Sequence, residues 1–259
     1  DGPLCAEQML YAACFRVMAE ISEQLGKDGN VYRQEYEKLT AAIEKFFWDE
    51  EKGAYIDSFT SGKRNVTRHA NIFAILFDIA DKQKQEKILT NVLENDEIPA
   101  ITTPYFNFFE LDVLCQMGKL TEVLDKIRSY WGGMLDLGAV TFWEEYDPSV
   151  PKEEQYDMYG DHFGKSLCHA WAASPIYFLA KYFAGLDLVN KDGVTYVLKP
   201  QMQYFTDLDC TLPVGSHGTV RLIWDGEYLD VTPDADGGVL ELGETKFSLV
   251  RGETRRVRI

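Results

Sequence analysis

Glu144 and Glu145 lie between Trp143 and Tyr146, in the stretch Gly138-Ala-Val-Thr-Phe-Trp-Glu-Glu-Tyr-Asp147, with Trp131-Gly-Gly just upstream. A second segment of the same character is Thr102-Thr-Pro-Tyr-Phe-Asn-Phe-Phe-Glu110. Sugars present C–H faces that pack on aromatic rings, and hydroxyls that carboxylates and amides read. Cleaving a glycosidic bond needs two carboxyl groups across it, one acting as acid and the other as base or nucleophile. Acids among rings therefore point to a sugar site. A solvated acidic loop beside buried rings has the same composition, so composition alone leaves both readings open.

Other constellations carry less. His162 and His169 are seven apart with Asp161 nearby, but no third ligand has metal spacing, so no metal is expected. Ser174, within Ala-Ala-Ser-Pro, lacks the glycine-flanked turn of a nucleophile elbow. Neither a dinucleotide fingerprint nor a phosphate loop occurs, and no cofactor is expected. The five cysteines (Cys5, Cys14, Cys115, Cys168 and Cys210) form no Cys-x-x-Cys pair and read as reduced core thiols. That leaves the compartment open between cytoplasm and periplasm. Lys+Arg 26 against Asp+Glu 42 gives a net charge of −16, which repels phosphate backbones, so nucleic acid is not expected as a partner. Nor is a membrane, since no apolar run approaches the ~20 residues a span needs. The chain opens on Asp1 rather than Met, as expected of one processed or cut from something longer.

The elements that must position these residues divide near residue 186. Before it, apolar residues recur at helical spacing. Met9, Leu10, Ala13, Val17 and Ile21 mark a helix over 6–25 that stops at Gly26, and Tyr32, Tyr36, Leu39, Ile43 and Phe46 mark one over 31–47. Further helices are expected over 69–79, 83–93, 104–117, 120–130 and 166–183, joined mostly by short connections into antiparallel hairpins. Gly53-Ala-Tyr-Ile-Asp57 interrupts them as a short strand or hairpin. After Gly185 the period becomes two. Seven short strands, beginning near Thr195, Asp209, Thr219, Tyr228, Gly238, Phe247 and Arg255, predict a small antiparallel sandwich. The fold class expected is mainly α with a β domain.

Three motifs together carry a resemblance: Trp131-Gly-Gly-Met134, Thr141-Phe-Trp-Glu144 and Ser166-Leu-Cys-His-Ala-Trp171. Phe47-Trp-Asp-Glu-Glu-Lys-Gly-Ala-Tyr55, His69-Ala-Asn71 and Thr103-Pro-Tyr-Phe106 accompany them in order. The chain resembles the α-L-rhamnosidases of glycoside hydrolase family 78, at the end of their catalytic barrel. The resemblance implies an (α/α)6 barrel, inversion, and terminal L-rhamnose in a glycan or glycoside as substrate. Carboxyl groups ~6.5–9.5 Å apart would flank the scissile bond. It places Glu144 at the general base and His169 at a sugar contact, where a neutral imidazole can bond a hydroxyl, though a core histidine on a buried helix suits His169 equally. Trp143 and Tyr105 become stacking candidates, though a core role suits each equally. Glu145 departs from the family, which more often has a basic residue there.

The family's general-acid motif belongs to the earlier half of the barrel and has no counterpart here. Twelve helices make such a barrel and seven are expected, so residues 1–187 read as its second half and 188–259 as a C-terminal β-sandwich. The N-terminal half is the expected partner, and the 259 residues alone are expected to be inactive. Two other readings stay open. One is a different (α/α)6 glycosidase, acting on L-arabinofuranosides or glucosides; the other is a non-catalytic carbohydrate-binding or interaction protein.

Overall fold

A computed structural model describes residues 2–60, 62–191, 194–216 and 218–259. By packing, the chain falls into two compact units, one of residues 1–117 with 143–165 and the other of 118–142 with 166–259. Seven α-helical stretches occur among the described residues, six of them close to the places the apolar spacing predicts and the seventh over only part of its expected range.

The first unit begins with α1 (Cys5–Gln24) and α2 (Asn30–Phe47). Gly26 ends α1 with φ +67°, a backbone state that costs a Cβ-bearing residue. There Gly26 N–H donates to the Glu23 carbonyl at 2.9 Å and Lys27 N–H to that of Ser22 at 2.8 Å, a two-bond stop for the last turn. Met9 and Ala13 are buried, yet Leu10, Val17 and Ile21 stand 44–47% exposed. They form, with Cys14 and Met18, an apolar stripe at 3–4-residue spacing. The spacing marks an apolar face correctly without saying which part of it is covered.

The expected hairpin is present as β1 (Trp48–Asp49) and β2 (Ala54–Tyr55), antiparallel, with Trp48 opposite Tyr55. It is pinned by α3 (Arg68–Leu76) through the buried Asn71. The Asn71 amide accepts from Tyr55 N–H at 2.9 Å and donates to the Tyr55 and Thr67 carbonyls, both at 2.9 Å. The next helix, α4, runs Lys82–Ile88 and continues as a π-turn Leu89–Leu93, with the Asp81 carboxylate capping Lys84 N–H at 2.9 Å. Finally α5 (Pro104–Gln116) starts on a proline, whose missing N–H costs nothing in a first turn. It buries Asn107, Glu110, Leu111 and Leu114 against the unit's interior. Glu110 meets Arg68 there at 3.1 Å, with both side chains at most 8% exposed.

The second unit holds α6, continuous through Leu120–Lys126, the π-turn Ile127–Trp131 and Gly132–Asp136, and α7, made of Ser174–Phe178 and the π-turn Leu179–Phe183. A helix over the whole of 166–183 is not found: residues 166–169 are non-helical and a 3-10 turn, Ala170–Ala172, precedes Ser174. Pro175 is the reason, since its ring has no N–H to donate and is tolerated only in a first turn. The thiols also differ from expectation. None of the five is in a disulfide, but Cys14 and Cys168 are exposed rather than core.

After α7 come β3 (Leu186–Lys191), β4 (Val194–Leu198), β5 (Leu208–Pro213), β6 (Thr219–Trp224), β7 (Tyr228–Pro233), β8 (Gly238–Leu242), β9 (Thr245–Leu249) and β10 (Arg255–Arg258). They form two four-stranded sheets, β10-β7-β6-β5 and β3-β4-β8-β9. All pairings are antiparallel except β4 with β8, which run parallel. Alternation sets the core: Val220, Leu222 and Trp224 point in and Thr219, Arg221 and Ile223 out. They meet Tyr196, Leu198, Leu229, Val231 and Leu240 from the other strands. Gly238 sits opposite Tyr196, and a Cβ there would lie 2.3 Å from the tyrosine ring, so the parallel pairing depends on a residue without a side chain.

Candidate active site

In the first unit the segment from Trp143 to Lys165 is fastened to the foot of α5. Tyr146 N–H donates to the Thr102 carbonyl at 3.1 Å, and the Thr102 hydroxyl donates to Glu145 Oε1 at 2.8 Å. Lys165 Nζ, almost wholly buried, lies 3.7 Å from the other Glu145 oxygen. Gln155 closes the loop from within, its amide donating to the Asp147 and Val150 carbonyls at 2.6 and 2.8 Å. Glu145 is thus a fastening residue.

Glu144 is 9% exposed and turns elsewhere. Its Oε1 accepts from the Tyr159 hydroxyl at 3.0 Å. That hydrogen bond, and the carboxylate's charge after it, push the Tyr159 phenol above its usual value, so it stays a protonated donor at neutral pH. An oriented carboxylate beside a neutral donor can accept a proton, which is what a base requires. Trp143 is buried, with its ring 5.7 Å from that of Tyr156. Tyr105, in the first turn of α5, is half exposed and meets Phe109 edge-on at 5.6 Å. Near it His69, at the start of α3, packs on Phe106 with centroids 4.3 Å apart, and burial lowers its pKa. Glu144, Trp143 and Tyr105 therefore share one unit.

His169 belongs to the other. There its N–H donates to the Phe142 carbonyl at 2.8 Å, and its ring lies 4.2 Å from that of Trp171. Trp131 Nε1 donates to the Ala172 carbonyl at 2.8 Å, tying α6 to the same turn. An apolar cavity of about 160 Å³ is lined by Trp131, Met134, Leu135, Val140 and Phe142. His162 pairs with Asp157 in the first unit, and no group of three or more His, Cys, Asp or Glu among the described residues could hold a metal ion. No helix among them is long and apolar enough to cross a membrane.

Residues 4–183 match the model of the bacterial α-L-rhamnosidase six-hairpin glycosidase domain. The chain belongs to this family. Its helical part accordingly has the antiparallel hairpins of the (α/α)6 fold class, with a small β-sandwich following. Among solved structures it is similar to the Klebsiella oxytoca rhamnosidase with rhamnose bound, at 30% identity and TM-score 0.60, over 69% of this chain and 34% of that one. The fold is also that of the family 78 rhamnosidase of Bacillus sp. GL1, at TM-score 0.77 and 22% identity over 93% of this chain and 26% of that one. The Streptomyces avermitilis α-L-rhamnosidase complexed with L-rhamnose aligns at TM-score 0.66 and 17% identity, over 90% of this chain and 22% of that one. The chain thus spans between about a fifth and a third of these relatives. No curated protein sequence matches it closely.

Tyr159, Thr102 and Lys165 are the residues that sequence reasoning missed. The signal for Tyr159 was a Tyr-Gly pair in a turn between polar residues, which says nothing of where the hydroxyl ends.

Proposed function

We propose that the chain is the base-bearing part of an inverting α-L-rhamnosidase. In this reading, residues 1–187 are the second half of its barrel and 188–259 its C-terminal sandwich. Glu144 takes a proton from water, whose oxygen attacks the anomeric carbon of a terminal L-rhamnose on the face opposite the leaving group. The glycosidic C–O bond breaks, and the leaving oxygen keeps the electron pair and takes a proton from a carboxylic acid outside these residues. Supporting this are the family match, which spans Glu144, and the rhamnose bound in two of the similar structures. The observation that carries it is Glu144 itself, almost buried and accepting a hydrogen bond from a neutral phenol.

In this reading the half-exposed Tyr105 of the first unit is a stacking surface with Trp143 buried in the same unit, and His169 of the second unit is by itself a contact for a sugar hydroxyl. The partner is the N-terminal half of the barrel. The half-exposed apolar stripe of α1, Leu10 to Ile21, favours that, because such a face in water calls for cover.

The test is hydrolysis of an aryl α-L-rhamnoside. The 259 residues alone are expected to give no turnover above buffer. The full-length protein carrying the rest of the barrel is expected to hydrolyse the rhamnoside in preference to the matching arabinofuranoside and glucoside. Turnover by the 259-residue chain that Glu144→Gln abolishes would refute the missing-acid part. A preference for another glycoside would refute the substrate.

A further inference from the structure

Met158 and Asp161 exchange both backbone hydrogen bonds, at 3.0 and 2.9 Å, and so close a two-residue hairpin on Tyr159 and Gly160. The two central residues have φ +55° and +80°. A hairpin turn with both central φ values positive favours Asn, Asp or Gly, because a Cβ crowds the neighbouring carbonyl in that state. Tyrosine in the first position is a costly choice, and burial does not offset it, since Tyr159 is 82% exposed. Nor does the hairpin need its side chain. Asp161 accepts from Phe163 N–H at 3.1 Å, Lys165 N–H donates to the Tyr156 carbonyl at 3.2 Å, and His162 pairs with Asp157. Gly164 lets the chain return close, for a Cβ there would lie 2.2 Å from the Met158 carbonyl oxygen. What the tyrosine does contribute is its hydroxyl on Glu144, fifteen residues earlier.

We infer that Tyr159 is a positioning residue for Glu144, kept in a strained turn because its O–H fixes the rotation of the carboxylate. The inference rests on the reading of Glu144 as the base. Strain held at one residue next to a functional group is how a site fixes geometry in advance of reaction. The phenol donates and stays protonated. Its hydroxyl is placed on Glu144, and it acts through that carboxylate.

The experiment compares Tyr159→Phe, Tyr159→Asn and Glu144→Gln in the full-length protein on an aryl α-L-rhamnoside. Tyr159→Phe keeps the ring and removes only the hydroxyl; kcat is expected to fall about tenfold or more, with KM changed by no more than about twofold. Tyr159→Asn suits the turn. It is expected to lose kcat equally while unfolding at the same temperature as the parent or a higher one, which separates function from folding. Adding Tyr159→Phe to Glu144→Gln is expected to cost nothing more. Wild-type kcat in Tyr159→Phe beside a dead Glu144→Gln overturns the inference and leaves the base standing. A loss in KM alone overturns it too, by making the exposed ring a stacking surface. An active Glu144→Gln overturns the base reading and this inference together.

Discussion

Glu144→Gln is expected to lower kcat of the full-length hydrolase by about 10³-fold, the scale on which a positioned base contributes. The substitution is nearly isosteric, and the amide oxygen can still accept from the Tyr159 hydroxyl, so the loop from Trp143 to Lys165 should keep its form. It loses only the ability to take a proton from water. KM should hardly move, because the interaction removed develops in the transition state. Glu145→Gln is the control. Its carboxylate serves Thr102 and Lys165, so its effect belongs to loop anchoring and should be far smaller. Equal losses at the two positions would mean that the acidic pair acts through the fold.

The second large effect concerns stability. Arg68→Met is expected to destabilise the chain by about 3–5 kcal/mol in denaturant unfolding, because it breaks a buried ion pair from one side. Arg68 also donates to the Leu93 carbonyl at 2.9 Å and, at longer range, to those of Asn95 and Ile98 at 3.4 and 3.5 Å. It therefore braces the connection from α4 to α5, which runs on to Thr102 and the foot of the Glu144 loop. Replacing both partners, Arg68→Met with Glu110→Leu, should recover much of the loss, since no charge is then stranded. A single substitution costing under about 1 kcal/mol would place the pair in an effectively wet environment, contrary to its burial.

What could be read from the sequence, and what could not, follows from the range of the interactions. The helices were legible because each buries a stripe at 3.6-residue spacing, and the β6 alternation because one sheet face is packed. The hairpin at Gly53 was legible from its break in that spacing. The start of α7 was not, although Pro175 carries the local reason, because the apolar run upstream of it imitates a helix. Nor could spacing reveal that half of the α1 stripe is open to solvent, since apolar residues declare a face without naming what covers it. The parallel pairing of β4 with β8 joins residues 42 apart. So, across the same distance, does the pair of Arg68 with Glu110. Such partners have no local signature. In the site, the acid-and-ring pattern covered Glu144 and Glu145 alike and left a solvated loop open, and only the resemblance singled out Glu144. The partners of Glu145, Thr102 and Lys165, and the hydrogen bond of Tyr159 to Glu144 are tertiary contacts that sequence does not carry: adjacent carboxylates differ only in where the backbone aims them.

The anomer that forms first shows whether the carboxylate acts on water or on sugar. Proton NMR of an aryl α-L-rhamnoside with the full-length enzyme, followed before mutarotation, should show β-L-rhamnose appearing first and the α-anomer growing in later. A base activating water can give only that order. The α-anomer appearing first would mean a covalent glycosyl intermediate, and Glu144 would then not be the base described here.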